Sequence, residues 1–316
     1  MSSSFFKSLT YADVWANHVP DALDVLHAAY GFAAAGEDDI SAFVEFGTDV
    51  AIIEVDDGER STALQVTGPA RVPGLNRARP DYPFLVESAG EPPLRPAISH
   101  ATVVATPDLD ALVEHLRSRG ARYRFDQPYG DVLLPRLWPG WGSDKADPFY
   151  SPEVDAGMKL EFWEAASSDA APQPPTVSGT EGGVTGIEAV TFLVADPAPA
   201  VALLEKVFDW VPDRSWTREG TTVAEFAFTD PKSARIQLVS PQDPDGRVGR
   251  HLTEWREGPY LRRFTCADLG AREEELRRYD IGVERGTALD GSGRDALLVQ
   301  GGYAFSGVFE FVQDQV

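Results

Sequence analysis

The chain has 316 residues, 43% hydrophobic and 25% charged, which is typical of a soluble globular protein with a substantial buried core. At roughly 100–200 residues per domain, this length is enough for two domains. The formal net charge of −22 repels nucleic-acid phosphates and anionic lipids, so we expect neither a nucleic acid nor a membrane as a partner.

Cysteine content and hydropathy limit the cellular compartments in which we expect the protein. The one cysteine, Cys266, excludes an internal disulfide framework and a cluster of thiolate metal ligands. The amino-terminal residues lack the apolar core of a signal peptide, and no stretch approaches the ~18 apolar residues needed to span a bilayer. We therefore expect a cytoplasmic protein, and the abundance of alanine, arginine, proline and acidic residues indicates a bacterial source.

The first predicted elements are a short alternating strand at residues 11–15 and an amphipathic helix at residues 20–31. The same pattern of strand, turn with Asp or Pro, and helix returns three more times along the chain. The later copies lie at residues 100–104 and 107–120, at 189–194 and 196–208, and at 261–265 and 268–279. The chain therefore contains a fourfold internal repeat.

Each helix is followed by runs that alternate like strands and end in a triplet with an acid or amide between two apolar residues. The triplets are Ile53-Glu54-Val55, Leu160-Glu161-Phe162, Ile236-Gln237-Leu238 and Phe309-Glu310-Phe311. One module of strand, helix and three strands leaves the edge strands of its sheet unpaired and cannot enclose a hydrophobic core alone, so modules should pair. We predict an α+β fold in which four βαβββ modules pair into two curved mixed-sheet domains with helices on the outer faces.

A break at residues 167–184 divides the repeats into two halves. Proline, serine and glycine dominate this segment and no apolar period runs through it, which is typical of a linker. We predict an amino-terminal domain at 1–166, with modules at 5–66 and 95–166, and a carboxy-terminal domain at 185–316, with modules at 185–243 and 256–314.

A long segment inside the second module, residues 123–157, is rich in proline, glycine and aromatic residues, including Trp138 and Trp141. Loops of this length are lids, binding loops or disordered stretches, and the aromatic residues argue against disorder. Two alternatives remain open. The segment forms an apolar wall for an aromatic or flat ligand, or it packs on the neighbouring domain or a second subunit.

In these four modules the chain resembles the vicinal oxygen chelate superfamily, which contains glyoxalase I, methylmalonyl-CoA epimerase, extradiol dioxygenases and bleomycin-resistance proteins. The resemblance covers nearly the whole chain and lies in the repeat pattern, not in a close match to one member. Residues 30–36 also resemble the end of the first helix in 4-hydroxyphenylpyruvate dioxygenase and hydroxymandelate synthase. Four modules in one chain match those enzymes and the extradiol dioxygenases.

The resemblance implies where metal ligands would lie. Metal-binding members place a ligand, usually His, at the start of each module's first strand and Glu or Gln in its last strand, a set that suits Fe, Mn, Ni or Zn. The corresponding residues are Tyr11, Glu54, His100 and Glu161 in the amino-terminal half, and Ala189, Gln237, Leu261 and Glu310 in the carboxy-terminal half. Alanine and leucine cannot ligate, so the resemblance places any metal in the amino-terminal half.

We predict Glu54, His100 and Glu161 as the metal ligands, with Tyr11 or Asp13 nearby for acid–base chemistry. Strand alternation puts Tyr11 and Asp13 on one face of their strand.

The register of the second module leaves an alternative open at His100. If the second helix alone sets the alignment, the ligand position falls on Ala101, and a slip of one residue moves a side chain to the opposite face of the sheet.

Further side chains are candidates for holding a ligand. Trp138, Trp141 and Trp163 offer aromatic surface. Arg262, at the start of the fourth module, either holds a ligand carboxylate or lies on the surface of an edge strand.

Two classes of function follow from these observations. An enzyme would use a divalent metal in the amino-terminal cleft for lyase, isomerase or dioxygenase chemistry on an oxygen-rich or aromatic substrate. A protein of the bleomycin-resistance type would sequester a small molecule in the same cleft without a metal, and a metal-free enzyme lies between the two. The partner is a small molecule in each case, and the chain acts alone or as a homodimer.

Overall fold

The computed structural model describes residues 4–43, 48–55, 61–71, 101–126, 135–142, 150–165, 176–178, 183–300 and 307–314. The strands are β1 (Ser8–Trp15), β2 (Ser41–Phe43), β3 (Thr48–Glu54), β4 (Ala63–Pro69), β5 (Thr102–Thr106), β6 (Tyr123–Asp126), β7 (Arg136–Pro139), β8 (Leu160–Glu164), β9 (Thr176–Ser178), β10 (Val184–Leu193), β11 (Arg214–Arg218), β12 (Thr221–Phe226), β13 (Arg235–Pro241), β14 (Gly258–Cys266), β15 (Val283–Thr287), β16 (Asp295–Gln300) and β17 (Val308–Gln313). The helices are α1 (Val19–Val25), which continues as a π-helix (Leu26–Tyr30), a short 3-10 turn (Glu37–Asp39), α2 (Leu109–Ser118), α3 (Pro197–Phe208), α4 (Arg247–Trp255) and α5 (Leu269–Arg278).

The strands form two mixed sheets with the same internal order. The first runs β2-β3-β4-β1-β5-β8-β7-β6, with β9 added beside β3, and the second runs β11-β12-β13-β10-β14-β17-β16-β15. Each sheet joins two modules through their first strands, and each module consists of one strand, one helix and three strands. The predicted α+β fold of four paired βαβββ modules is therefore confirmed.

Three of the four module helices begin at an aspartate that follows the module's first strand. The side chains of Asp108, Asp196 and Asp268 each accept a hydrogen bond from a backbone N–H in the first turn of α2, α3 and α5, at 2.8–2.9 Å. Such a cap satisfies one of the free donors of the first turn. In module 1 the same position is His18, whose side chain makes no cap hydrogen bond. The four residues at this position, three aspartates and His18, give a common reference for aligning the modules.

The chain forms two compact units, each built from non-contiguous segments. The first groups the described residues of 1–11, 101–173 and 192–258, which places module 2 with most of module 3. Its core contains Phe6, whose ring stacks on Trp210 with centroids 3.7 Å apart and meets Phe162 and Phe208 edge-on. Helices α2 and α3 of this unit are tied by the ion pair of Arg119 with Asp209, at 2.6 Å.

The second unit groups the described residues of 12–100, 174–191 and 259–316, which places most of module 1 with module 4. Aromatic rings fill its core: Tyr30 meets Phe309, and Phe32 meets Phe264, with ring centroids 5.3 and 5.1 Å apart. Arg272 of α5 donates a hydrogen bond to the backbone carbonyl oxygen of Ala29 at 3.0 Å. The π-helix and α5 therefore pack together in this unit.

Two segments that the sequence suggested to be irregular contain strands. Residues 176–178 of the predicted linker form β9, which lies parallel to β3, and the long aromatic segment of module 2 supplies β6 and β7. The domain boundary at 167–184 stays a prediction. No helix in the described part of the chain has the length and apolar character needed to cross a bilayer.

Candidate functional site

The first unit places Tyr11 and Glu161 in one row across three strands. Tyr11 of β1 lies opposite Val103 of β5, and Val103 lies beside Glu161 of β8. Paired residues project from the same face of a sheet, so these side chains share a face, and Trp163, two residues after Glu161, lies on it as well. The ring of Tyr11 meets the ring of Trp163 edge-on at 5.8 Å. We call this the Glu161 face.

Glu161 is a buried carboxylate, 1% exposed, and its two oxygens differ in their partners. Its Oε1 accepts a hydrogen bond from Trp163 Nε1 at 2.5 Å and lies 3.0 Å from Arg136 Nη1. Arg136 lies opposite Trp163 on β7 and sets its guanidinium 4.7 Å from the centroid of that indole ring. Glu161 Oε2 is buried with no hydrogen-bond partner in the structure as described. One acceptor atom on this face therefore receives no hydrogen bond from the described residues.

The two tryptophans of the aromatic segment, Trp138 and Trp141, are buried. Trp138 is two residues from Arg136 on β7 and therefore lies on the Glu161 face, with 4% of its surface exposed. Trp141 forms a bridge with Tyr150, and their rings pack 5.3 Å apart. The structure thus brings Trp138 and Trp163 to the Glu161 face and places Trp141 against the following loop.

That loop fixes the start of the strand that carries Glu161. Asp155 is fully buried and accepts hydrogen bonds from the Tyr150 hydroxyl, from Gly157 N at 3.2 Å and from Leu160 N at 2.8 Å. Burial raises the pKa of Asp155 to about 7, against the opposing effect of these hydrogen bonds. Burial also raises the pKa of the Tyr150 hydroxyl. Because Leu160 directly precedes Glu161, the Asp155 loop positions the buried carboxylate.

In module 1 the last strand is β4, and the polar residue at its centre is Gln65 and not Glu54. Glu54 ends β3 and is exposed. Gln65 is buried, and its amide donates a hydrogen bond to the hydroxyl of Thr67 at 3.0 Å. The Thr67 hydroxyl donates in turn to Asp13 Oδ1 at 2.9 Å. β4 lies beside β1 as β13 lies beside β10, so Gln65 occupies the position of Gln237 in module 3. As a metal ligand, Glu54 stays a prediction.

The equivalent glutamate of module 4, Glu310, is paired with an arginine. Arg263 of β14 lies beside Glu310 of β17, and its Nε donates to Glu310 Oε2 with both residues buried. In module 3, Gln237 donates from its amide to Glu225 Oε2 at 2.7 Å, and Glu225 also accepts from Arg214. The polar residues of these last strands therefore all bond to neighbouring side chains.

Register identifies the residue at the start of the first strand in modules 2 and 4. Val103 pairs with Glu161 as Arg263 pairs with Glu310, and Val103 and Arg263 each lie five residues before the aspartate that caps the following helix. Two residues earlier stand Ala101 and Leu261, so Ala101 lies at the position where the resemblance implies a ligand. His100 lies outside the described residues.

Arg262, the predicted ligand-binding arginine, is buried in the second unit. Its Nη2 donates to the backbone carbonyl oxygen of Asp13, and its Nε and Nη1 have no hydrogen-bond partner in the described structure. Burial lowers the pKa of Arg262 to about 10, while the charge of Asp13 raises it. Arg262 precedes Phe264 on the face of β14 that packs on Phe32, so it lies on the core side of its strand. Its role in holding a carboxylate stays a prediction.

Solved structures share this arrangement, although no family model and no curated protein matches the chain. A mutant of 4-hydroxymandelate synthase from Streptomyces coelicolor superposes with a TM-score of 0.57, covering 98% of this chain and 93% of that one at 12% sequence identity. The chain has the vicinal oxygen chelate fold. Methylmalonyl-CoA epimerase from Mycobacterium tuberculosis covers 42% of this chain and 90% of its own, with 22% identity and a TM-score of 0.36.

Three of the positions that the resemblance assigns to metal ligands hold residues that cannot bind a metal ion. Ala101, Ala189 and Leu261 have no side-chain ligand atom. The carboxylates of Glu161 and Glu310 each pair with an arginine, which supplies the positive charge that a metal ion would supply. The described residues contain no group of three or more histidine, cysteine or acidic side chains placed to hold a metal. The predicted set of Glu54, His100 and Glu161 stays a prediction, because His100 is not described.

Proposed function

We propose that this protein binds a small aromatic molecule on the Glu161 face and does so without a metal ion. The observation that carries the proposal is the state of Glu161, which is buried and ion-paired through one oxygen, while the other oxygen has no hydrogen-bond partner among the residues that the structure describes. A buried acceptor left unpaired costs free energy, so a ligand that supplies a donor is favoured there.

The charges and rings of the Glu161 face define the class of ligand. An ionised carboxylate only accepts hydrogen bonds, so the ligand must present a hydroxyl or an amine to Oε2. Arg136 already balances the charge of Glu161, and a neutral donor therefore suffices. The rings of Tyr11 and Trp163 lie on the same face and offer edge and face contacts to a flat ligand. A phenol is the simplest molecule that meets these requirements.

The experiment compares phenol with anisole, which has nearly the same shape and lacks the hydroxyl donor. We expect phenol to bind about tenfold or more tightly than anisole, since a hydrogen bond to a charged group contributes ~1.5–3 kcal/mol. The variant Glu161→Gln should lose this preference. The matched control Glu54→Gln, on an exposed side chain, should keep it.

Isothermal titration calorimetry measures all six affinities, two ligands for each of the three proteins. Equal affinity of the wild-type protein for phenol and anisole would contradict the proposal. So would a preference for phenol that survives Glu161→Gln, because the hydroxyl would then donate to an acceptor other than Glu161.

A metal-free enzyme is the second candidate, and the same oxygen of Glu161 favours it. An unpaired carboxylate oxygen beside a bound hydroxyl is placed to act as a general base during a reaction, and the phenol of Tyr11 lies on the same face. Conversion of a bound phenol, followed by mass spectrometry, distinguishes this enzyme from a protein that only sequesters its ligand. The homodimer predicted as one arrangement stays a prediction that analytical ultracentrifugation tests.

A further inference from the structure

A second polar cluster lies in the second unit, on the face of β14 and β17 that carries Arg263 and Glu310. Phe264, on the opposite face of β14, packs on Phe32 in the core of the unit, so Arg263 points away from that core. Arg263 and Glu310 are nevertheless 1% and 0% exposed. Something other than the aromatic core must cover them.

The connection between β15 and β16, residues 288–294, supplies part of this cover. Leu289 N donates to Glu310 Oε1 at 3.2 Å, which attaches the connection to the buried carboxylate. Arg294, at the other end, donates to both oxygens of Glu188 at 3.1 and 2.7 Å and from Nε to Asp290 Oδ2 at 2.9 Å. The connection is therefore held against β17 and β10 by charged hydrogen bonds.

Glu310 is satisfied in this arrangement, but Arg263 is not. The two oxygens of Glu310 accept from Arg263 Nε and from Leu289 N. Arg263 Nη2 is buried and has no hydrogen-bond partner within the described part of the chain. A guanidinium can only donate hydrogen bonds, so the missing partner is an acceptor atom.

We propose that this cluster is a second small-molecule site, in which Arg263 Nη2 donates a hydrogen bond to the oxygen of an uncharged ligand. The charge of the cluster selects against an anion. Arg263 and Arg294 carry two positive charges, whereas Glu188, Asp290 and Glu310 carry three negative ones. A ligand carboxylate would add a second uncompensated negative charge at a buried position, whereas an amide or ketone oxygen adds none.

The site is independent of the Glu161 face, which belongs to the first unit. Its residues are Arg263 and Glu310, with the connection at 288–294 covering them. The ligand class also differs, because this site needs an acceptor oxygen and the Glu161 face needs a donor.

The test uses benzamide and cyclohexanone as uncharged acceptors and benzoate as the anion of matched shape. Saturation-transfer NMR on the full chain should detect both uncharged probes, with benzoate about tenfold or more weaker than benzamide. No signal from either uncharged probe, or equal affinity for benzoate, would overturn the proposal.

Two variants locate the binding. Arg263→Lys keeps a cation for Glu310 and removes the forked donor, so benzamide binding should be lost while the melting curve stays cooperative. The double variant R263M/E310M should lose binding as well, because it replaces the buried pair with apolar side chains. The matched control is R278M/E275M, which removes an exposed arginine–glutamate pair of the same unit and should bind benzamide as the wild type does. Benzamide binding that persists in both Arg263 variants would refute the assignment and leave a structural ion pair with a bound water.

Discussion

Replacing Phe6 with alanine should destabilise the first unit more than the same replacement of its neighbour Phe5. Phe6 is fully buried and contacts four aromatic rings, whereas Phe5 is partly exposed and meets the ring of His115. Phe6 also anchors the backbone of its segment, because its carbonyl oxygen accepts a hydrogen bond from Thr229 N at 2.9 Å. One residue near the amino terminus thus joins module 2 to module 3.

The size of the effect follows from the area that the ring removes from water. A buried phenylalanine loses roughly 150 Å² or more of apolar surface on truncation, which at about 25 cal/mol per Å² corresponds to ~4 kcal/mol. Measured costs of such truncations are about 3–5 kcal/mol, including the cavity that remains. Phe5→Ala should cost about 1 kcal/mol or less, as expected for a partly exposed ring.

Urea unfolding followed by tryptophan fluorescence measures both variants. Trp210 stacks on Phe6 with ring planes 13° apart, so its emission should also shift in the native state of Phe6→Ala. A loss below about 1 kcal/mol, or equal losses for Phe5→Ala and Phe6→Ala, would refute the packing of the first unit given above.

Two further predictions concern a buried acid and a close backbone contact. The pKa of Asp155 is raised from 3.8 to about 7, so its protonation stabilises the fold below about pH 4 and this contribution is lost as the pH rises through about 7. The unfolding free energy of the wild type, relative to that of Asp155→Asn, should therefore be higher at about pH 5 than at about pH 8. The same relative value at both pH values would contradict the raised pKa of Asp155. Gly68→Ala would place a Cβ 2.7 Å from the carbonyl oxygen of Ala16 and should cost about 1–3 kcal/mol by thermal melting. Gly282→Ala, which has no neighbour within 4 Å, is the control and should stay within about 0.5 kcal/mol of wild type.

Local signals in the sequence predicted the modules well. The strand predicted at residues 261–265 lies within β14, and the helix predicted at 268–279 contains α5, because periodicity and a capping aspartate are both short-range features. Glu161 and Glu310 stand in the last strands of modules 2 and 4, as their triplets indicated.

The sequence could not identify the last strand of module 1. Both β3 and β4 alternate and both contain an acid or amide beside apolar residues, so Ile53-Glu54-Val55 and Leu64-Gln65-Val66 are equivalent patterns. Only the pairing of β4 with β1 decides between Glu54 and Gln65, and pairing depends on residues distant in sequence.

The arginine partners of the glutamates were also beyond prediction from sequence. Arg136 and Glu161 are 25 positions apart and meet because β7 pairs with β8, inside a segment without clear periodicity. Arg263 follows Arg262 at the start of a predicted strand, but the side of the strand on which it lies depends on the register with β17.

We propose above all that the Glu161 face binds its ligand without a metal ion. The most direct measurement is the affinity of the protein for phenol after treatment with a chelator, and again after adding Fe, Mn, Ni or Zn to the same sample. We expect the same dissociation constant in every case, since Arg136 already supplies the positive charge beside Glu161. Phenol binding that appears only after a metal is added, and is lost again on chelation, would contradict the account.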